Sequence, residues 1–160
     1  MSEAERIADQ LRRAIDGQAW HGPSLREVLD GVTAKQAAAK PLAAPHSIWK
    51  LTLHIGVWGT VPRRRMHGES VVKITPAEDW PTVTDTSDAA WQRDRDRVMN
   101  ELRAFADEIA TLNDARLAQE RPQEGGEMQS TWFMLHGAVQ HVIYHAGQIA
   151  LLKKAVTGGK

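Results

Sequence analysis

Four stretches of the chain repeat apolar residues at the spacing of one helix face, and that period constrains the fold more than any other feature of the sequence. The first sets Ile7, Leu11, Ala14 and Ile15 at helical steps among arginines and acids. The second, HSIWKLTLHIGVWGTVPRRRMHG from His46, is apolar on most sides and reads as a buried helix, with Pro62 expected to kink or end its regular part. In the third, Trp91, Val98, Leu102, Phe105, Ile109 and Leu112 keep to steps of three, four or seven, behind a solvated face of arginine and aspartate. The fourth follows Ser130, a candidate cap, and runs to about Val156 before Gly158 and Gly159. Four such helices predict an all-α four-helix bundle.

The connections differ in length. Ser24 and Thr33 are placed to cap short turns after the Gly22-Pro23 break. Between the second and third long helices, Glu69 to Asp88 mixes Val71, Val72 and Ile74 with Pro76, Trp80 and Pro81, which predicts a long ordered crossover with a short extended piece. A polar stretch from Asn113 to Gln129, with Gly125-Gly126, leads into the last helix. With 160 residues, no internal repeat and no low-complexity segment, residues 1–160 are expected to form one domain.

Charge and cysteine content narrow the function. Lys plus Arg and Asp plus Glu each total 20, so no basic excess is available to bind nucleic acid. The absence of cysteine removes disulfides, thiolate metal sites and cysteine nucleophiles, so any metal must use nitrogen and oxygen ligands. The N-terminus carries acids and no uninterrupted apolar run, and no segment is apolar enough to span a bilayer, so a soluble cytoplasmic protein is expected.

Of the seven histidines, His141 and His145 stand four residues apart and project from one helix face, a spacing at which two imidazoles can hold one ion. Spacing alone leaves open a pair of core histidines satisfied by hydrogen bonds. Their apolar surroundings, Met134, Ala138 and Leu152 on the same face with Leu135, Val139, Val142, Ala146 and Ile149 beside it, predict burial. Two buried imidazoles need partners for both ring nitrogens, and a shared cation satisfies one nitrogen of each. Gly147 is expected to let another helix come close.

On the second helix His54 lies between Leu51 and Trp58 and supplies a third ligand. His46 is eight residues earlier, roughly 12 Å along a straight helix, too far to share an ion with His54. His136 and His67 read as surface or structural residues, and His21 as a loop residue able to fold over a bundle mouth. A zincin protease needs glutamate at 142, where valine stands, and a di-iron carboxylate bundle needs glutamate at 138 and 142, where alanine and valine stand.

Several segments together resemble the DinB/YfiT-like superfamily: Ala19 to Leu25 (AWHGPSL), His46 to Trp49 with His54, Asp79-Trp80-Pro81, and His141 to Ile149 (HVIYHAGQI). The resemblance covers nearly the whole chain. It implies a four-helix bundle with a long crossover, a homodimer, and a site for zinc, nickel or a similar divalent ion at His54, His141 and His145. It also implies chemistry of the kind found in family members that use small cytosolic thiols as transferases or isomerases, others having no assigned substrate. Pro62 departs from the usual second helix.

Three neutral imidazoles leave a coordination position open to water or a thiol, the pattern of catalytic sites, so hydrolysis and thiol transfer both remain, with the resemblance tilting toward thiol transfer on a small-molecule substrate. The alternative is a non-catalytic metal-binding or dimerising bundle. Gln148 is placed to reach the same cavity or to bridge helices, Tyr144 to sit at the site edge or in packing, and Trp49 and Trp58 in core or pocket wall. Glu78 and Asp79 are candidates for a base, an outer acceptor, or simple capping. Trp80 and Trp132 are apolar residues that a dimer or the interior could bury.

Overall fold

Side-chain oxygens decide where the helices begin. Ser2, Ser24, Thr33, Ser47, Thr75, Ser87, Asn113 and Ser130 each accept a backbone N–H from the first turn that follows them. Each such cap is worth about 1 kcal/mol. The computed structural model describes residues 1–42, 46–69, 73–122 and 126–158. Its long helices are α1 (Glu3–Asp16), α4 (Ile48–Met66), α6 (Asp88–Ala110) and α8 (Thr131–Thr157), and the short helices α2 (Leu25–Leu29), α3 (Ala34–Ala38), α5 (Pro76–Asp79) and α7 (Asp114–Ala118) lie in the connections.

Helix α1 packs on α6, α6 on α4, α4 on α8, and α8 back on α1, so the apolar faces close into an all-α four-helix bundle with its long crossover between α4 and α6. The seams read from the sequence are the core: Ile7, Leu11 and Ile15 from α1 meet Trp91, Leu102, Phe105 and Ile109 from α6, all fully buried or nearly so. Trp91 donates its indole N–H to the Val32 carbonyl at 2.8 Å and Trp49 donates to Asp94 at 3.0 Å, so both large rings bury without leaving a donor unpaired.

Two local expectations are corrected and one connection acquires structure. Helix α4 does not end at Pro62 but continues to Met66. Proline deletes one rung of the ladder, and burial of Val61, Pro62, Arg65 and Met66 holds the last turns in the bundle. The polar stretch after Asn113 contains α7 and an antiparallel pair, β1 (Glu120–Pro122) with β2 (Met128–Ser130), Arg121 lying opposite Gln129. These segments are too short and too polar to carry a period. Gly147 is exposed, with nothing within 4 Å of where a Cβ would stand, because it faces away from the bundle. The extended piece expected at Val71 and Val72, and Gly125, lie outside the described residues.

Close approach occurs instead on α4. A Cβ at Gly56 would stand 2.8 Å from a methyl of Val98, and one at Gly59 would stand 2.7 Å from a methyl of Leu102. Valine is stiff at χ1 whereas a leucine methyl can swing away. Gly56→Ala is therefore expected to lower stability by about 1 kcal/mol, overpacking exceeding the gain in helix propensity, while Gly59→Ala stays near neutral. Urea denaturation of the two variants side by side checks the ordering.

Candidate metal centre

The helical face of α8 presents His141 and His145 toward α4, where His54 faces them from the middle of its buried stretch. His54 and His145 are buried and His141 is partly buried. The Nε2 atoms of His54 and His141 are 3.1 Å apart, and one ligating nitrogen from each of the three rings falls within 4.8 Å of the others. Two nitrogens bound to one tetrahedral zinc ion at about 2.1 Å would stand about 3.4 Å apart, close to the spacing already present between His54 and His141. Among the described residues, no other group of three such side chains is gathered in this way.

The outer ring nitrogens are held by acceptors. Nδ1 of His54 lies 2.8 Å from the Asp79 carbonyl oxygen and 3.1 Å from its carboxylate. A carbonyl can only accept, so Nδ1 carries a proton and Nε2 is the nitrogen directed inward at the other two rings. His145 donates from Nδ1 to the Gln148 side-chain oxygen at 2.7 Å, which fixes the same tautomer. This is the arrangement by which outer partners orient metal-binding imidazoles. Burial, with His145 and His54 adding to it, pushes the His141 pKa down to about 3, and burial also lowers that of His145 against the opposing Gln148 bond. Both rings are therefore neutral at physiological pH, as a metal ligand must be.

The crossover builds one wall of the site. Helix α5 begins with Pro76 behind a capping box in which Thr75 and Glu78 bond reciprocally, so Glu78 caps. Asp79 at the other end of α5 turns inward and accepts the Trp58 indole N–H at 2.7 Å. Trp80 then slots between two imidazoles, its ring 3.8 Å from that of His54 and 3.4 Å from that of His46, both parallel to within 5°. His46 is thus one ring removed from the three histidines and joins them through stacking. The Thr-Pro-Ala-Glu-Asp-Trp run carried this signal as a capping box followed by two residues that reach the site.

The other candidates lie apart. His67 pairs with Glu108, His136 packs on Trp132 beside Glu3, and His21 is exposed in the turn after α1. Trp49 is core, whereas Trp58 lines a cavity. Tyr144 is exposed and touches His145 only edge-on. Trp132 stays partly exposed and donates to Glu3.

A cavity of about 380 Å³ opens beside His54 and His141, walled by Trp58, Pro62, Phe133 and Met134, with Asp79, Gln129 and Arg65 as its other polar residues. A cleft of about 460 Å³ elsewhere, lined by Arg26, Asp30, Arg95, Asp96 and Arg103, shares no residue with the histidines. Its arginines pair with neighbouring carboxylates, Arg95 with Asp96 and Arg103 with Asp16.

The family model of the DinB superfamily matches residues 19–149. The chain belongs to the DinB superfamily. The matched span begins in the turn after α1, includes the crossover, and carries all three clustered histidines of this DinB protein. No curated protein and no solved structure gave a significant match. No helix among the described residues is long and apolar enough to cross a membrane.

Asp79→Ala in this DinB protein removes the acceptor that joins Trp58 to the His54 side of the site while leaving the backbone carbonyl in place. Losing an outer-shell partner of this kind costs roughly 10- to 100-fold in metal affinity. A competition titration against a chromophoric chelator should show a drop in that range with the stoichiometry unchanged.

Proposed function

We propose that the chain is a metal-dependent enzyme that holds one divalent ion, zinc or nickel, through His54, His141 and His145 and acts on a small molecule, as a thiol-dependent S-transferase or a hydrolase. One observation carries this reading. Three imidazoles, two with their outer nitrogens tied to acceptors, converge beside an open cavity that His54 and His141 line. When bound, such an ion supplies Lewis acidity toward a thiol or a water molecule. Asp79 and Gln148 hold the rings in register, and Trp58, Phe133 and Met134 give the face on which a substrate lies an apolar surface.

The residues favour the thiol route. Asp79 is the one carboxylate among the described residues of the cavity wall, and it is already engaged by Trp58 and His54. A free thiol ionises with a pKa near 8.5 and bulk water near 15.7, so a site with no spare base serves thiol ionisation better. The test is a screen of metal-loaded wild type and the His141→Ala/His145→Ala variant against electrophiles, with mycothiol, bacillithiol or glutathione and without thiol. Metal-dependent thiol consumption in the wild type alone is expected. Turnover in neither condition would leave a non-catalytic metal-binding bundle as the better reading.

The reading includes a single domain that pairs with a second copy. Helix α8 has no Asp, Glu, Lys or Arg from Thr131 to Leu152, yet Phe133, Tyr144 and Leu151 are 55%, 64% and 65% exposed. With Gly137, Gln140 and Gly147 they recur in alternating steps of four and three, and nothing stands within 4 Å of a Cβ built at either glycine. A helix apolar on all sides is ordinarily covered on all sides. An antiparallel copy related by a two-fold axis would set each Phe133 beside the other copy's Leu151 and glycine against glycine, a self-complementary seam. Sedimentation is expected to give a dimer for the wild type and a monomer for Tyr144→Glu/Leu151→Glu, with helicity and metal stoichiometry kept. A monomeric wild type at micromolar concentration would refute the pairing.

A further inference from the structure

Three consecutive arginines close α4, and they have three different fates. Arg63 pairs with Glu108 and Arg64 with Glu69, both on the outside of the bundle. Arg65 turns inward, is only 5% exposed, and lines the same cavity as His54, Trp58 and Pro62. Those four positions fall on one helix face at steps of four, four and three. A guanidinium remains protonated in proteins, and removing it from water is costly unless its donors are used. Arg65 already engages another residue, but with five N–H donors in a planar fork it can serve a neighbour and a ligand together.

Trp58, Pro62, Phe133 and Met134 make most of the wall apolar, Gln129 adds one neutral amide, and the acidic group of the wall, Asp79, is occupied by Trp58 and His54. The cavity therefore has a fixed cation at one end, imidazole nitrogens at the other, and a largely apolar wall. Arg65 and His54 are eleven residues apart, about 16 Å along the axis, and both side chains lean toward the N-terminus, the longer arginine reaching further along the axis than the imidazole, which shortens the gap. We infer that the cavity selects a small organic acid, with its carboxylate or sulfonate forked by Arg65 and its reactive end directed to the three histidines. The inference rests on the metal-site reading for what happens at the reactive end, while the anion subsite stands on Arg65 and the cavity.

Binding of two probes to the metal-loaded full chain, followed by calorimetry, tests it. Benzenesulfonate and methyl phenyl sulfone share a ring and a sulfonyl group, differ in charge, and are both poor metal ligands. Wild type should bind the sulfonate at least about tenfold more tightly, as a charge-assisted forked bond implies. Arg65→Gln should remove that preference while leaving sulfone affinity and metal stoichiometry unchanged, and Arg65→Lys should restore part of it. Equal affinity of the wild type for the two probes, which needs no variant to fold, or a preference that survives in Arg65→Gln, overturns the inference. A clear preference in a chain that binds no metal would sustain the anion subsite and sink the metal reading alone.

Discussion

Replacing His141 and His145 together with alanine should take the chain from one divalent ion bound to none in a micromolar titration with zinc or nickel. The two residues lie one turn apart on α8 and with His54 form the only gathered set of potential ligands among the described residues. A lone His54 has no second nitrogen with which to chelate. Loss of an outer partner already costs roughly 10- to 100-fold in affinity, and removing two direct ligands must exceed that. Thermal unfolding gives an independent reading. An ion that binds only the folded chain stabilises it by about 2.7 kcal/mol at 100 times its dissociation constant, which corresponds to a rise in Tm of roughly 5–10 °C for a chain of this size. The wild type should show that rise and the double variant none. Equal metal retention in the two, or equal thermal shifts, would remove the three histidines from the site.

The bundle was legible because its information is periodic. Trp91, Val98, Leu102, Phe105 and Ile109 recur at helical steps along α6 and are buried as that recurrence requires. His141 and His145 were legible by the same geometry, since one helix fixes both. What joins them to His54 was less so, because the contact between α4 and α8 spans 87 residues of sequence. The outer partners divide in the same way. Gln148 lies one turn from His145 and could be placed from spacing, whereas Asp79 and Trp80 depend on the path of the crossover, which no period encodes. Arg63, Arg64 and Arg65 mark in the sequence where the helix turns charged, but not which of the three neighbours faces inward. Gly147 shows the converse error: a small residue invites a close neighbour, but inside this chain that role belongs to Gly56 and Gly59.

Trp91→Ala should be the most destabilising single change considered for the bundle, at about 4 kcal/mol. The ring is almost wholly buried at the start of α6 and packs at 5.2 Å against Trp49 of α4, so truncation opens a cavity between two of the four long helices. Substitutions of this kind cost about 3–5 kcal/mol. The Val32 carbonyl also loses its indole donor, and with it the tie that holds the chain between α2 and α3 against α6. The resulting fall in Tm is expected to be roughly 8–16 °C. Trp91→Phe separates the two contributions, since it keeps most of the apolar ring and deletes only the bond to Val32, and it should cost about 1–3 kcal/mol. Trp20→Ala is the control: that indole is 101% exposed, and its removal should change stability by no more than about 0.5 kcal/mol. If Trp91→Ala and Trp20→Ala moved the midpoint equally, the α4 to α6 core would not be the part of the bundle that carries its stability.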